Sequence, residues 1–323
     1  MSGSNRLHGG LKVGLHAQTL GRADGVIAGS EITTRGLKAA FGRLPGVERV
    51  TRYGPGSYGS LQEDELDLVI IEGWHTSLPL FIGRVRETSP RAKVLFWNLS
   101  FFGIKGVTGL DVDGFLTNSR KAVPRLESIA PTRFMMLAAD PEEFEPVSQL
   151  ECYGHDVTYL GMFHPKKSAG VIERMMYEAR DYGLAIYGHG WEEHPVLKEH
   201  WMGKLASGDI AKLYSSAKIV LGMTEDRQRA AGMINNRVFE ALACGACLIS
   251  EHYPALEEVF GDTLLYSLRR GDTARHIEDV LEDGAYRSSL GKKGRELVLM
   301  HHTFDHRVEE VLSFYGALCE EGL

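Results

Sequence analysis

Positive charge is the first thing this sequence has little of. Its 36 lysines and arginines are outnumbered by 43 aspartates and glutamates, a formal net charge of -7 at pH 7, so no overall basic footprint exists for a nucleic-acid backbone. Cysteine is scarce too: four in 323 residues make no disulfide framework. Cys244 and Cys247 form a C-x-x-C, but it lies where a helix hands over to a strand. A redox pair gains thiolate stability at a helix N-terminus instead, so packing is its expected role. No apolar run approaches the ~18 residues of a membrane span. Residues 1–10 are polar and Gly-rich, without a signal-peptide core. A cytoplasmic location is expected, and peripheral membrane association is left open. The dinucleotide fingerprint G-x-G-x-x-G is missing, since Gly21, Gly25 and Gly29 fall four apart. His189, His194 and His200, with Glu192 and Glu193, match no metal-ligand spacing, so no metal site is expected.

What is present is core material and alternation. A chain of 323 residues that is 43% hydrophobic and 24% charged has enough apolar surface for two ordinary domains. Short apolar runs at 11–16, 47–53, 66–72, 93–97 and 114–117 read as strands, and the stretches 31–43, 77–87 and 120–129 between them read as helices. This is the order of a doubly wound α/β domain. From Phe134 a strand runs into an acidic, Pro-bounded turn, Asp140-Pro-Glu-Glu-Phe-Glu-Pro146, which reads as a domain boundary. Strands at 157–162, 184–187, 217–222 and 246–250 repeat the pattern. Residues 285–300 and 303–320 close the chain as helices. The expected architecture is α/β, two Rossmann-like doubly wound domains. They cover 1–148 and 149–302, with 303–323 as a C-terminal helix.

The most informative stretch is 235–245, Asn-Asn-Arg-Val-Phe-Glu-Ala-Leu-Ala-Cys-Gly. Helical spacing puts Asn236, Arg237 and Glu240 on one face, with Val238, Phe239 and Leu242 opposite. A helix N-terminus offers unpaired N–H groups to an anion such as a diphosphate. Arg237 is suited to the same phosphates and the acceptor-only Glu240 to a pair of sugar hydroxyls. An Arg237 to Glu240 surface ion pair is the plain alternative. Other polar groups fall at the carboxyl ends of strands, where open α/β sheets bind ligands. They are Lys166 and Lys167 after the first strand of the second half, Gly188 and Trp191 after the next, and Glu225 and Met233 before the 235 helix. Trp191 is a candidate for base stacking or for ordinary packing.

The order helix, Gly245, buried strand, acidic loop resembles the nucleotide-sugar domain of GT-B glycosyltransferases of the group 1 type, close to the spore-maturation subset. The strand and Asp-Pro-x-x-Phe turn ending at Phe144, and Asp113-Gly-Phe-Leu-Thr-Asn-Ser119 before it, are similar to the end of that family's first domain. The resemblance implies two domains facing across a cleft, a final helix crossing back, and a nucleotide diphosphate sugar as donor substrate. It implies a ribose-binding role for Glu240, phosphate contacts for the 166–167 lysines, and no metal or other cofactor. Sugar transfer to an acceptor hydroxyl, with retention, is the expected reaction. One departure stands out: many group 1 transferases carry a second glutamate eight residues before the one matching Glu240, and here that position is Gly232.

Acceptor-side candidates fall in the first domain: His16 at the end of its first strand, Asp24 in the Gly-rich loop and His75 after Glu72-Gly-Trp. Histidine is apt as a base because it titrates near neutrality. A nucleotide-sugar epimerase on the same fold and a non-catalytic sugar-nucleotide binder are the alternatives, with a nicotinamide or flavin oxidoreductase disfavoured by the absent fingerprint. The donor sugar, the base, the acceptor and the oligomeric state stay open.

Overall fold

A computed structural model describes residues 10–20, 29–63, 65–99, 106–163 and 170–320. The first half runs β1 (Leu11–Ala17), α1 (Gly29–Gly42), β2 (Val47–Tyr53), β3 (Leu68–Glu72), α2 (Leu78–Thr88), β4 (Lys93–Asn98), β5 (Gly114–Thr117), α3 (Val123–Glu127) and β6 (Thr132–Phe134). The second runs β7 (Val157–Leu160), α4 (Val171–Ala179), β8 (Leu184–Tyr187), β9 (Trp201–Gly203), α5 (Ile210–Ser216), β10 (Ile219–Gly222), α6 (Asp226–Ala230), α7 (Asn236–Ala243), β11 (Cys247–Glu251), α8 (Pro254–Phe260), β12 (Leu265–Ser267), α9 (Asp272–Glu282) and α10 (Gly284–His301). Helix α11 (Phe304–Glu320) ends the described chain. Two compact units result, one of residues 1–136 with 304–323, the other of 137–303.

In the first unit a parallel sheet has the order β2-β1-β3-β4-β5-β6. The chain winds from β1 outward to β2, then returns to build β3 to β6 on the other side. The switch in winding direction therefore lies between β1 and β3. Strand β3 is buried along its whole length, as its unbroken Leu-Val-Ile-Ile run requires of a strand covered on both faces. Tyr53, Ile71, Phe81, Phe96 and Phe115 form the core under α2. Helix α11 belongs to this unit and packs on α1, where the Phe304 ring occupies the space a side chain at Gly36 would need. An Arg43 to Asp305 ion pair of 2.8 Å and the Arg133 guanidinium on the Glu310 carbonyl at 2.9 Å hold it there.

The second unit repeats the design with the order β12-β11-β10-β7-β8-β9. Its switch lies between β7 and β10. Val157, Ile186, Ile219, Leu221 and Ile249 on the strands meet Met175, Met176 and Ile277 on the helices.

Two local expectations are corrected. The helix expected over 120–129 shrinks to α3, with Pro124 in its first turn, because proline lacks the N–H an interior position needs. The Ser128 hydroxyl closes the other end on the Arg125 carbonyl at 2.7 Å, competing with further helical bonds. The strand expected from Phe134 onward instead ends there. The following turn is built on Asp140, whose carboxylate accepts the Glu142 N–H at 3.0 Å. Strands β9 and β12, three residues each, are too short to show a period.

Candidate active site

The carboxyl edge of the second unit is organised around the start of α7. Asn235, its N-cap, has extended backbone and makes no side-chain capping bond. Its amide nitrogen donates instead to the Met223 carbonyl at 3.1 Å and the Thr224 hydroxyl at 2.9 Å. Two residues on, Arg237 donates through Nη1 to the Met223 carbonyl at 2.8 Å and through Nε to the Leu160 carbonyl at 2.5 Å. Leu160 ends β7 and Met223 follows β10, the two strands that flank the switch point. Arg237 thus straps the helix start across the crevice where doubly wound sheets bind ligands. Its guanidinium lies 4.7 Å from the Tyr159 ring centre, a cation–π contact.

This geometry changes the expected role of Arg237. Nε and one hydrogen of Nη1 are taken by backbone carbonyls, so two of the five guanidinium N–H donors serve the fold rather than a ligand. Nη2 sits where a side chain at residue 161 would be, 2.7 Å from that hypothetical Cβ, so glycine at 161 makes room for it. Glu240 lies one turn further into α7 and is 3% exposed. Burial first, and then the Glu240 charge, push the Tyr214 hydroxyl well above its ordinary range. Asn236 is half-buried at the helix start.

The other predicted donor residues are placed as follows. Gly188, at φ +128°, closes the turn after β8, and any side chain there would strike the Gly161 carbonyl. Trp191 is fully buried; its indole N–H donates to the Gly161 carbonyl at 2.8 Å, and its ring packs edge-on against Tyr159 and face-on against His194. A ring enclosed on every side stacks on its own core, which answers the base-stacking expectation with packing. Glu225 is half-buried and is the N-cap of α6. Met233 is buried, and its carbonyl accepts the Tyr253 hydroxyl at 3.0 Å. Gly232 has φ +70°, a left-handed backbone that disfavours any residue with a Cβ, glutamate included. Lys166, Lys167 and Asp24 lie outside the described residues.

Sequence reasoning missed Glu251. It ends β11 with its carboxyl 1% exposed, accepting the Thr224 N–H at 2.8 Å and the Ser250 hydroxyl at 3.0 Å. Burial pushes it up to about 7. Its only sequence signal was a carboxylate directly after a buried run, which reads equally well as the start of a loop.

In the first unit His16 and Glu72 flank the switch point, and neighbouring strand ends carry further buried polar groups. His16 is fully buried with Nε2 3.1 Å from the Tyr58 hydroxyl. Desolvation, then the nearby His75, lower it to about 4. Glu72 lies beside Ala17 and Trp97 in the register and is pushed by burial up to about 8, opposed by a hydrogen bond from Ser30. His16 Nδ1, Glu72 Oε2, Trp97 Nε1, Asn98 Oδ1 and Asn118 Oδ1 are buried without a hydrogen-bond partner among the described residues, against the rule that such groups are satisfied. All five stand at or just beyond strand carboxyl ends. His75 is half-buried and joins His16 through Tyr58 and Ser77.

Comparison with known proteins agrees with this architecture. Residues 168–313 match the family model described as glycosyl transferase-like. No curated protein matches the chain. Among solved structures, sucrose-phosphate synthase from Thermosynechococcus elongatus aligns at 15% identity over 96% of this chain and 100% of its own, with a TM-score of 0.68. AviGT4, a glycosyltransferase involved in avilamycin A biosynthesis, aligns at 15% identity over 95% and 98%, TM-score 0.65. HepE from Anabaena, in complex with UDP and glucose, aligns at 12% identity over 94% and 99%, TM-score 0.64. The chain has the GT-B fold of these structures, and residues 168–313, the greater part of the second unit with the start of α11, are similar to a glycosyl transferase-like family.

Proposed function

We propose that the protein transfers a sugar from a nucleoside diphosphate sugar to an acceptor hydroxyl, with the nucleotide held at the carboxyl edge of the second unit. The observation that carries this is the Arg237 strap, which fixes the N-terminus of α7 over the β7/β10 switch point. Backbone N–H groups and the positive end of the helix are there aimed at one place. The barrier to transfer lies in parting the sugar from a diphosphate, so fixed positive potential at the leaving group is what the site must supply. In this reading that potential comes from α7 and the remaining Nη2 of Arg237, without a metal ion. Glu240 meets the ribose hydroxyls. The Gly232 backbone takes the place of the second glutamate, and the anomeric configuration is retained. The resemblance of 235–260 to the spore-maturation subset and a cytoplasmic location belong to the same reading.

A thermal-shift series with UDP, GDP, ADP and dTDP on the wild type and on Glu240→Gln tests it. A nucleotide at about 100 times its Kd adds about 2.7 kcal/mol, a shift of several degrees. Stabilisation by one nucleoside diphosphate, lost in Glu240→Gln while the unliganded Tm is kept, is the expected result. A response to none of the four, or an equal response in the variant, would sink the assignment.

A further inference from the structure

The first unit contains a hydrogen-bonded chain whose direction can be worked out from one backbone group. The Ser77 N–H donates to His75 Nδ1 at 3.1 Å, so that nitrogen carries a lone pair and the His75 proton is on Nε2. The Ser77 hydroxyl is 2.8 Å from the same Nδ1 and must donate to it, because its own lone pair would otherwise face another. With that proton used, the Tyr58 hydroxyl, 2.6 Å away, donates to Ser77 Oγ. With the Tyr58 proton used in turn, His16 Nε2, 3.1 Å from Tyr58 Oη, carries a hydrogen and donates. The remaining nitrogen of His16, Nδ1, is then an acceptor, and it is buried without a hydrogen-bond partner among the described residues. Every link points the same way, from buried His16 toward half-buried His75.

We infer that His75 acts as a fixed hydrogen-bond donor, through Nε2–H, to a hydroxyl oxygen of the substrate, and that Ser77 and Tyr58 are the residues that position it. The inference rests on the transferase reading for its substrate, but the tautomer does not. A general base needs a free lone pair facing the substrate, and His75 has its lone pair turned inward onto Ser77. His16 cannot replace it as base, since its free nitrogen is enclosed. The chain therefore gives the two histidines, both candidates for the acceptor's base from sequence, one shared role: a polar wire that ends in the Nε2–H of half-buried His75. The local fold supports the geometry. Ser77 is the N-cap of α2 with proline in the first turn, and the Leu78 N–H is bonded to the His75 carbonyl at 3.1 Å, so the His75 backbone and ring are both tied to the start of that helix.

The test is two-bond nitrogen–proton correlation spectroscopy of the histidine rings in the full-length protein, with resonances assigned from His16→Asn and His75→Gln. The wild type should show both rings as the Nε2–H tautomer at neutral pH. In Tyr58→Phe, His75 should keep that tautomer, because the Ser77 backbone sets it, while His16, having lost its acceptor, becomes a mixture. An Nδ1–H tautomer at His75 overturns the inference. Release of nucleoside diphosphate from the glucose, galactose and mannose conjugates of UDP, GDP, ADP and dTDP supplies the functional arm. His75→Gln, whose amide still donates, should hold within about threefold of wild type while His75→Ala falls about tenfold or more. Equal loss in the two variants with an active wild type overturns the donor role and leaves the transferase reading intact. A wild type inert on every nucleotide sugar tried counts against the transferase reading and with it the substrate role of His75, while the tautomer is judged by the spectroscopy alone.

Discussion

The Arg237 guanidinium rests 4.7 Å from the centre of the Tyr159 ring while two of its nitrogens are spent on the carbonyls of Leu160 and Met223. One side chain thereby joins the start of α7 to the two strands on either side of the switch point. Arg237→Lys keeps the charge but cannot span both carbonyls or lie flat on the ring. The expected loss is about 2–3 kcal/mol of unfolding free energy, read from chemical denaturation of the unliganded protein. Unchanged stability with weakened nucleotide binding alone would mean the strap is not structural.

Gly188→Ala is expected to be among the most damaging small changes in the second unit. The residue has φ +128°, and its Cβ would run into the Gly161 carbonyl. Backbone strain and collision together should cost about 3 kcal/mol or more, visible as a lowered denaturation midpoint. A midpoint within error of wild type would show that the β7 and β8 turns can part without cost.

Glu72 makes stability depend on pH in the direction opposite to an ordinary carboxylate. Its folded value of about 8 exceeds the ordinary 4.5, so the folded state holds the proton more tightly. Its contribution is complete below 4.5 and declines as pH rises toward 8, by roughly 4 kcal/mol at pH 8. Glu72→Gln, uncharged throughout, should remove this decline. The check is Tm against pH from 5 to 8 for both proteins, and parallel curves would contradict the burial argument.

His16 acts at the acid end. It is lowered to about 4 from 6.5, so the unfolded chain takes up its proton first as pH falls. Its stabilising contribution is complete above 6.5 and is lost on the way down to 4, roughly 3 kcal/mol in all. In His16→Asn the Tm should fall less steeply between pH 6.5 and 4 than in the wild type.

Much of the fold was legible because its signals are local. The apolar runs of β3 and β11, the glycine stop at Gly245 and the amphipathic α7 each depend on residues within a few positions of one another. The site was legible only as an address. Arg237 and Glu240 were expected on one face near the start of a helix, and Arg237 reaches the ends of β7 and β10. That Arg237 would spend its donors on carbonyls was hidden, because a backbone carbonyl has no residue type to read. Trp191 shows the same limit: a ring after a strand looks alike whether it faces a base or its own core.

Sequence by itself determined the alternation of strands and helices, the doubling of the α/β unit and which strand ends would carry polar groups, since these follow from periodicity and composition. Tertiary structure alone decided which of those groups meet. The Tyr58 hydroxyl lies between His16 and Ser77, 42 and 19 residues away along the chain, only because the turn after β2 is carried to the ends of β1 and β3 by parallel register. Hydrogen bonds are fixed by distance and angle to within a few tenths of an ångström. No pattern along the chain encodes that, and so the order of strands, the inward lone pair of His75 and the strap at α7 belong to the fold.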